Sequence, residues 1–401
     1  MTQMFSGVRI IELAQYVMVP AAGVMLADLG AEVIKVETPG VGDPYRALVV
    51  DNRAQSAPNY SLEMNNRGKK SVAINLKDEA GKHIFLDLIR TADVFLTSLR
   101  PRALKALRLD PDSLRAANPR LIYARGNGFG FKGDEADRPG FDASAFWARG
   151  GFPAILKPAS GEFIRQPRAL GDHAASSNLA FAIAGALFQR ERTGEGAVVE
   201  TSLLSTALWL LSNDVVAGQD GDYPEDILIK AVERNPLVGQ YRSRDGRWIQ
   251  LVFLEPDRFW PGLCRALERE DLLSDPRFHD ARARAANGRD CIALLSEIFG
   301  SRDWSEWQPG FAGFDAPWEL VGDIRTLPRD PQVAANDYVF DLDLDEGRKV
   351  MLVASPVTVD GASGKAARRA PHCGEQSEAV FAELGLSEAE METLRARGAI
   401  A

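Results

Sequence analysis

The feature that most constrains this chain is an alternation of short apolar runs with helical patterns across its first third. Val8–Leu13 reads as a strand, Pro20–Leu29 as a helix opened by proline and stopped by Gly30, and Glu32–Glu37 as a second strand. Ser71–Asn75 and Val94–Thr97 read as further strands, with a helical pattern over Glu79–Arg90 between them. Strands separated by helices pair in parallel, because each connection must cross back over a face of the sheet. The pattern therefore predicts an α/β fold with a large doubly wound, Rossmann-like parallel sheet. Arg120–Ala124 adds a strand that runs into Gly126-Asn127-Gly128-Phe129-Gly130. Phe131 stands where the third glycine of a dinucleotide fingerprint would fall, and no helical pattern begins there, so a loop is expected rather than a nucleotide cradle.

With 401 residues the chain exceeds a single core, and two domains are expected. The polar, turn-rich run Gln219–Glu225 suggests a linker over 216–225 that separates a large part, 1–215, from a smaller α+β domain, 226–330. That smaller domain should contain a hairpin within Gly239–Phe253, turning at Asp245-Gly246. Residues 331–401, with a strand at Lys349–Val353 and a closing helix at Ser387–Arg397, are expected to return to the large domain.

Several classes are disfavoured by composition. A net charge of −9 argues against general nucleic-acid binding, which needs a basic field. The longest apolar stretch, Leu179–Phe188, is far short of a membrane span and no signal-like segment is evident, so a cytoplasmic protein without membrane partners is expected. Cys264, Cys291 and Cys373 are too widely spaced for a disulfide framework, and the four histidines form no metal motif, so no metal is expected. Local positive charge does occur, at Arg67-Gly68-Lys69-Lys70 with Lys77, and at Arg100-Pro101-Arg102 with Lys105 and Arg108. Each cluster reads either as a solvated face or as a seat for a small polyanion.

Chemistry is suggested most directly by Leu170-Gly171-Asp172-His173 ahead of the buried helical run Leu179–Phe188. A carboxylate near a helix N-terminus meets unpaired N–H groups and a favourable dipole, which help to keep it ionised and available as a nucleophile. Asp is also a common helix cap, so spacing alone leaves both roles open.

The chain resembles the class III CoA-transferases, a family of formyl-CoA, carnitine and aryl-lactate CoA-transferases that also contains the α-methylacyl-CoA racemases. The resemblance rests on Leu26–Glu37 with Gly42-Asp43-Pro44, on Asn118–Tyr123, Gly140-Phe141-Asp142, Gly171-Asp172, Asp330-Pro331-Gln332 and Pro371–Glu375, in the family's order along nearly the whole chain. It implies that Asp172 is the catalytic aspartate, attacking an acyl-CoA thioester to give a mixed anhydride and then a CoA adduct, from which a free carboxylic acid leaves as the new acyl-CoA. Acyl-CoA and a carboxylic acid are the implied partners, with no permanently bound cofactor and an interlocked homodimer as the assembly. The family's CoA contacts fall on Ile74, Asn75, Leu76, Lys77, Ser98, Leu99, Arg100, Ala143, Ser144, Ala145 and Phe146, with Lys77 and Arg100 suited to phosphates. Gln15 falls where the family places a polar active-site residue.

Two departures bear on substrate. Phe146, followed by Trp147, replaces a glutamine that many members carry, which implies a less polar acyl pocket of the aryl-lactate and hydroxyacyl branch. The glycine-rich loop of formyl-CoA transferase has no counterpart near Asn235–Gly239. The alternatives are a racemase, which would need a histidine where this chain has Phe141, and a silent CoA-binding subunit of a heteromeric transferase, for which a retained Asp172 is unnecessary.

Overall fold

A computed structural model of the chain describes residues 3–48, 59–156, 162–219, 221, 227–365 and 368–401. Of the expected linker 216–225, positions 220 and 222–225 lie outside the described residues. The chain divides into two compact units, one of residues 1–153, 164–216 and 331–401 and the other of residues 154–163 and 217–330.

The first unit is built on six strands, β1 (Arg9–Leu13), β2 (Glu32–Glu37), β3 (Lys70–Ala73), β4 (Val94–Thr97), β5 (Ile122–Asn127) and β6 (Val198–Ser202). All pair in parallel, in the order β3-β2-β1-β4-β5-β6. From β1 the chain winds outward through β2 and β3, then returns and winds the other way from β4, so the order reverses between β1 and β4. Loops at the carboxyl ends of those two strands splay apart, and a doubly wound sheet binds its ligand there.

Helices cover both faces, as alternation along β1 requires. Ile10 belongs to the core beneath α1 (Met18–Asp28) and α7 (Leu170–Thr193), whereas Ile11 belongs to the opposite core, beneath α3 (Glu79–Arg90), α4 (Pro101–Leu107) and α5 (Pro111–Ala117). Gly171, Ala175, Leu179, Ile183, Ala186 and Arg190 recur at helical spacing on the buried stripe of α7. Further helices are the short α2 (Tyr60–Asn66) and α6 (Phe152–Ile155) and the longer α8 (Leu203–Leu210). The C-terminal segment closes the β3 edge, where Ile74 bridges Ile400 and the Asn75 N–H donates to the Ala399 carbonyl at 2.9 Å.

The other unit has a three-stranded antiparallel sheet, β7 (Gln240–Arg242), β8 (Trp248–Leu251) and β9 (Trp318–Leu320), over a core that includes Trp260, Phe278 and Phe299. The hairpin turns where its Asp-Gly pair stands, with Gly246 at φ +85°. No helix among the described residues is long and apolar enough to cross a membrane.

The structure corrects the reading of the first basic cluster. Arg67 and Lys69 are neither solvated nor free for an anion, because both are buried and paired with acids far away in sequence. Arg67 Nη2 lies 2.7 Å from Asp28, which also accepts from the Ser355 hydroxyl at 2.6 Å. Lys69 Nζ lies 2.8 Å from Glu12 and donates also to the Pro20 and Asn65 carbonyls at 2.9 and 3.0 Å. Lys70 pairs with Glu32 at 2.5 Å.

Glu12 faces across β1 to its register partner Lys35, whose Nζ reaches Glu12 at 3.1 Å and Asp43 at 2.9 Å. All four side chains, Glu12, Lys35, Asp43 and Lys69, are out of solvent. Burial opposes the charge on Lys35, yet Glu12 and Asp43 raise its pKa above the ordinary lysine value. Lys69 is held down to about 8, with burial outweighing the pull of Glu12. Gly23 of α1 is part of the same packing, since a Cβ there would stand 2.3 Å from Glu12 Oε2.

Breaking a buried cluster of this kind strands the remaining charges. Glu12→Gln is therefore expected to lower the unfolding free energy by about 3–5 kcal/mol. Asp87→Asn, at an exposed pair with Arg90, should change it by less than about 1 kcal/mol. Chemical denaturation of the two variants beside the parent checks the contrast.

Candidate active site

The cleft at the reversal of strand order is built mainly from the loops that follow β1, β4 and β5. Gln15, just past β1, donates its N–H to the hydroxyl of Ser98, just past β4, at 2.9 Å, so one hydrogen bond ties the two diverging strand ends. The cavity beside that bond, about 350 Å³, is lined by Gln15, Tyr16, Ser98, Leu99 and Arg100, by Asn127 and Gly128 beyond β5, by Phe141, and by Asp172. An adjoining cavity of about 500 Å³ shares Gln15 and Leu99 and is walled by Ile74, Asn75, Leu76 and Lys77 beyond β3. Lys77 and Arg100 are exposed, so their charges are accessible to a ligand; Arg100 donates to the Asp137 carbonyl at 3.2 Å.

Not every expected contact comes to these cavities. Residues 142–148 form a π-helical turn in which Ala145, Phe146 and Trp147 point into the core while Ala143 and Ser144 face outward, and none of the five lines either cavity. Phe146 and Trp147 both stack on Phe152, with ring centroids 4.7 and 5.3 Å away. Their bulk fills the space beneath α7. Gly171 records how close that packing is, because a Cβ there would stand 2.2 Å from the Phe146 ring and 2.4 Å from Asp142 Oδ1.

Asp172 occupies the third position of α7, inside its first turn. The residue ahead of the helix, Ala169, is left-handed and offers no capping side chain. The cap comes instead from Asp142, whose Oδ1 accepts the Gly171 N–H at 3.1 Å and takes a further backbone hydrogen bond from Asp172. Two carboxyl groups thus meet at one helix end. Burial, and then the charge of Asp142, push the Asp172 carboxyl up to about 7, and burial raises Asp142 as well. The expectation that the helix end keeps Asp172 readily ionised is corrected by this geometry: the free N–H groups that would have lowered it serve Asp142. His173 turns away and makes a hydrogen bond of 3.2 Å with Asn65 Oδ1.

Sequence reasoning missed Tyr16 and the capping role of Asp142. The absence of any capping residue immediately before Leu170 was a signal that a cap had to come from elsewhere. Nothing in the sequence marks Tyr16.

Sheet order defines a doubly wound α/β protein, and the cleft at its reversal contains the Asp172 carboxyl with the exposed cations Lys77 and Arg100 on the walls of the two adjoining cavities. The chain belongs to CoA-transferase family III, whose model matches residues 5–377. The cinnamoyl-CoA:phenyllactate CoA-transferase of Clostridium sporogenes is 34% identical over 400 residues, covering 98% of this chain and 96% of that protein. The (R)-2-hydroxy-4-methylpentanoate CoA-transferase of Clostridioides difficile is 31% identical over 394 residues and 98% of each chain. Among solved structures, Rv3272 of Mycobacterium tuberculosis superposes with a TM-score of 0.82 at 30% identity, covering 94% of this chain and 99% of that one. A CaiB/BaiF family protein of Brucella suis gives 0.81 at 27% identity, covering 96% and 100%.

An acid raised in the folded chain makes the fold less stable once it ionises. For Asp172 that cost sets in as pH rises above about 4, its unfolded value, and is complete above about 7. Asp172→Asn, neutral throughout, is expected to raise the melting temperature at pH 8 on the order of 5 °C, with the gain shrinking toward pH 4. Calorimetry across that range checks it.

Proposed function

We propose that this enzyme moves CoA reversibly from an acyl-CoA thioester to a free carboxylic acid, with Asp172 as the nucleophile. The observation that carries the reading is the position of Asp172, half-buried in the cleft at the reversal of strand order and destabilised as an anion by burial and by Asp142. A carboxylate of raised pKa is a stronger base and a better nucleophile toward a carbonyl once ionised than an ordinary surface aspartate.

In this reading an Asp172 oxygen adds to the thioester carbonyl carbon, the carbon–sulfur bond breaks, and CoA leaves as the thiolate with the acyl group held as a mixed anhydride. The thiolate then adds to the aspartyl carbonyl, releasing the first acid as a carboxylate and leaving an aspartyl–CoA thioester. The acceptor carboxylate attacks that thioester to form a second anhydride. CoA thiolate finally takes the acceptor acyl group and restores the Asp172 carboxylate. Charge is conserved at every step, and each step exchanges one acyl bond for another of similar activation.

The larger cavity walled by Ile74–Lys77 suits the CoA moiety, with Lys77 and Arg100 offered to its phosphates and Ser98 and Leu99 passing the thioester arm toward Asp172. Where the family's racemases carry a histidine this cleft presents the Phe141 ring, which moves no proton, so a two-base exchange at the α-carbon is disfavoured. The homodimer implied by the resemblance belongs to the same proposal, supported by Phe181 and Phe188 on α7 and Trp209 on α8, all strongly exposed in the single chain.

Incubation with succinyl-, acetyl- or cinnamoyl-CoA followed by hydroxylamine should leave a hydroxamate on Asp172, seen by peptide mass spectrometry. Asp172→Ala and Asp172→Asn should lose transferase turnover by at least about a thousandfold. Retained turnover, or deuterium exchange at the α-carbon of a 2-methylacyl-CoA without any adduct, would contradict the reading.

A further inference from the structure

Tyr16 is a bulky residue with φ +65°, a left-handed conformation that side chains other than glycine and asparagine adopt at a cost. It persists because its surroundings fix it. The Tyr16 N–H donates to Asp43 Oδ1 at 3.2 Å, and the N–H just before it is held by Ser98. Asp43 is itself anchored, being buried against Lys35 and accepting the Tyr45 N–H at 2.9 Å.

The left-handed turn places Tyr16 on the wall of the Asp172 cleft. Its ring meets the Phe141 ring edge to face, with centroids 5.1 Å apart and planes at 82°, and the Tyr45 ring at 6.2 Å and 66°. Phe141 is 59% exposed although it immediately precedes the residue that caps α7. A large apolar ring left open to a cleft, braced by a second ring on a strained and ion-locked backbone, is a pre-formed surface for a flat or branched apolar group. Gln15, Ser98 and Asn127 on the same lining offer hydrogen bonds, while its two arginines are already engaged, Arg138 in an ion pair with Glu135 and Arg100 on the Asp137 carbonyl.

We propose that Tyr16, held left-handed by Asp43, is a specificity-determining residue that with Phe141 receives an aromatic or branched apolar acyl group of the thioester in preference to a short or polar one. The inference rests on Asp172 being the reacting carboxylate. It assigns acyl recognition to Tyr16 and Phe141 in place of Phe146 and Trp147, which are spent on the core.

The test compares kcat/KM for cinnamoyl-CoA and acetyl-CoA as donors, with hydroxamate formation at Asp172 followed in parallel. Tyr16→Gly removes the ring while keeping a residue at ease with positive φ, and Phe141→Ala removes the second ring independently. Each should lower kcat/KM for cinnamoyl-CoA about tenfold or more and for acetyl-CoA less than about threefold, whereas Tyr16→Phe should leave the ratio within about twofold of the parent. Asp43→Asn keeps an acceptor but weakens the lock, and should reduce the same ratio. Equal losses with both donors, or an unchanged ratio with Asp172 adducts still forming, would overturn the assignment of Tyr16 alone. No adduct in the parent with either donor would overturn it together with the role of Asp172.

Discussion

Four charges removed from water where β1, β2 and β3 run toward the cleft hold this structure's working end together. Glu12 is the centre, shared by Lys35 from the neighbouring strand and Lys69 just ahead of β3, while Asp43 closes the cluster from the loop beyond β2. None of these groups could be buried alone, so their partners must arrive in register for the sheet to form at all. The cluster also reaches the chemistry. Asp43 accepts the Tyr16 N–H, Gln15 beside it is tied to Ser98, and through these contacts the β1 and β4 loops acquire one fixed separation. A cavity at a reversal of strand order follows from topology; its particular walls follow from those hydrogen bonds.

At the far wall, a second electrostatic choice sets the character of the site. The N-terminus of α7 has no cap of its own, and Asp142 supplies one from the turn that contains Phe146 and Trp147. Structure and reactivity are joined there. The donors that cap the helix are unavailable to Asp172, and the capping charge adds to burial in keeping Asp172 high. Phe146 underlies both, because its ring rests where a side chain on Gly171 would have been. An aromatic residue that does not itself line the cavity thereby helps to fix where the carboxylate projects.

The parts of this arrangement that depend on near neighbours in sequence were legible. Glu32–Glu37, Val94–Thr97 and the helix Glu79–Arg90 are bounded as read, since each is a short apolar run or a clean helical period between turn residues. Asp172 does stand in the first turn of a long buried helix, as its local pattern suggests, but that pattern fits a cap as well as a nucleophile, and the family resemblance is what singles it out. What escaped depends on distant partners. Arg67 and Lys69 look like a surface cluster until Asp28 and Glu12, respectively 39 and 57 residues earlier, are brought to them. Phe146 and Trp147 suit a pocket wall or a core alike in sequence, because hydrophobic bulk does not distinguish the two, and the structure buries both. β6, an edge strand with a partly exposed, polar sequence, carries no strong period, and the left-handed turn at Tyr16 has no sequence signature.

In the proposed reaction the ionised Asp172 carboxylate, raised by burial and by Asp142, attacks the thioester. The most direct measurement is the pH dependence of CoA thiol release in a single turnover with excess enzyme, for the parent and for Asp142→Asn, which keeps the capping oxygen and removes the charge. Release should rise with pH to a plateau with its midpoint near 7 in the parent, and the midpoint should move to lower pH in the variant. Release that is independent of pH through this range, or a midpoint that Asp142→Asn leaves in place, would contradict it.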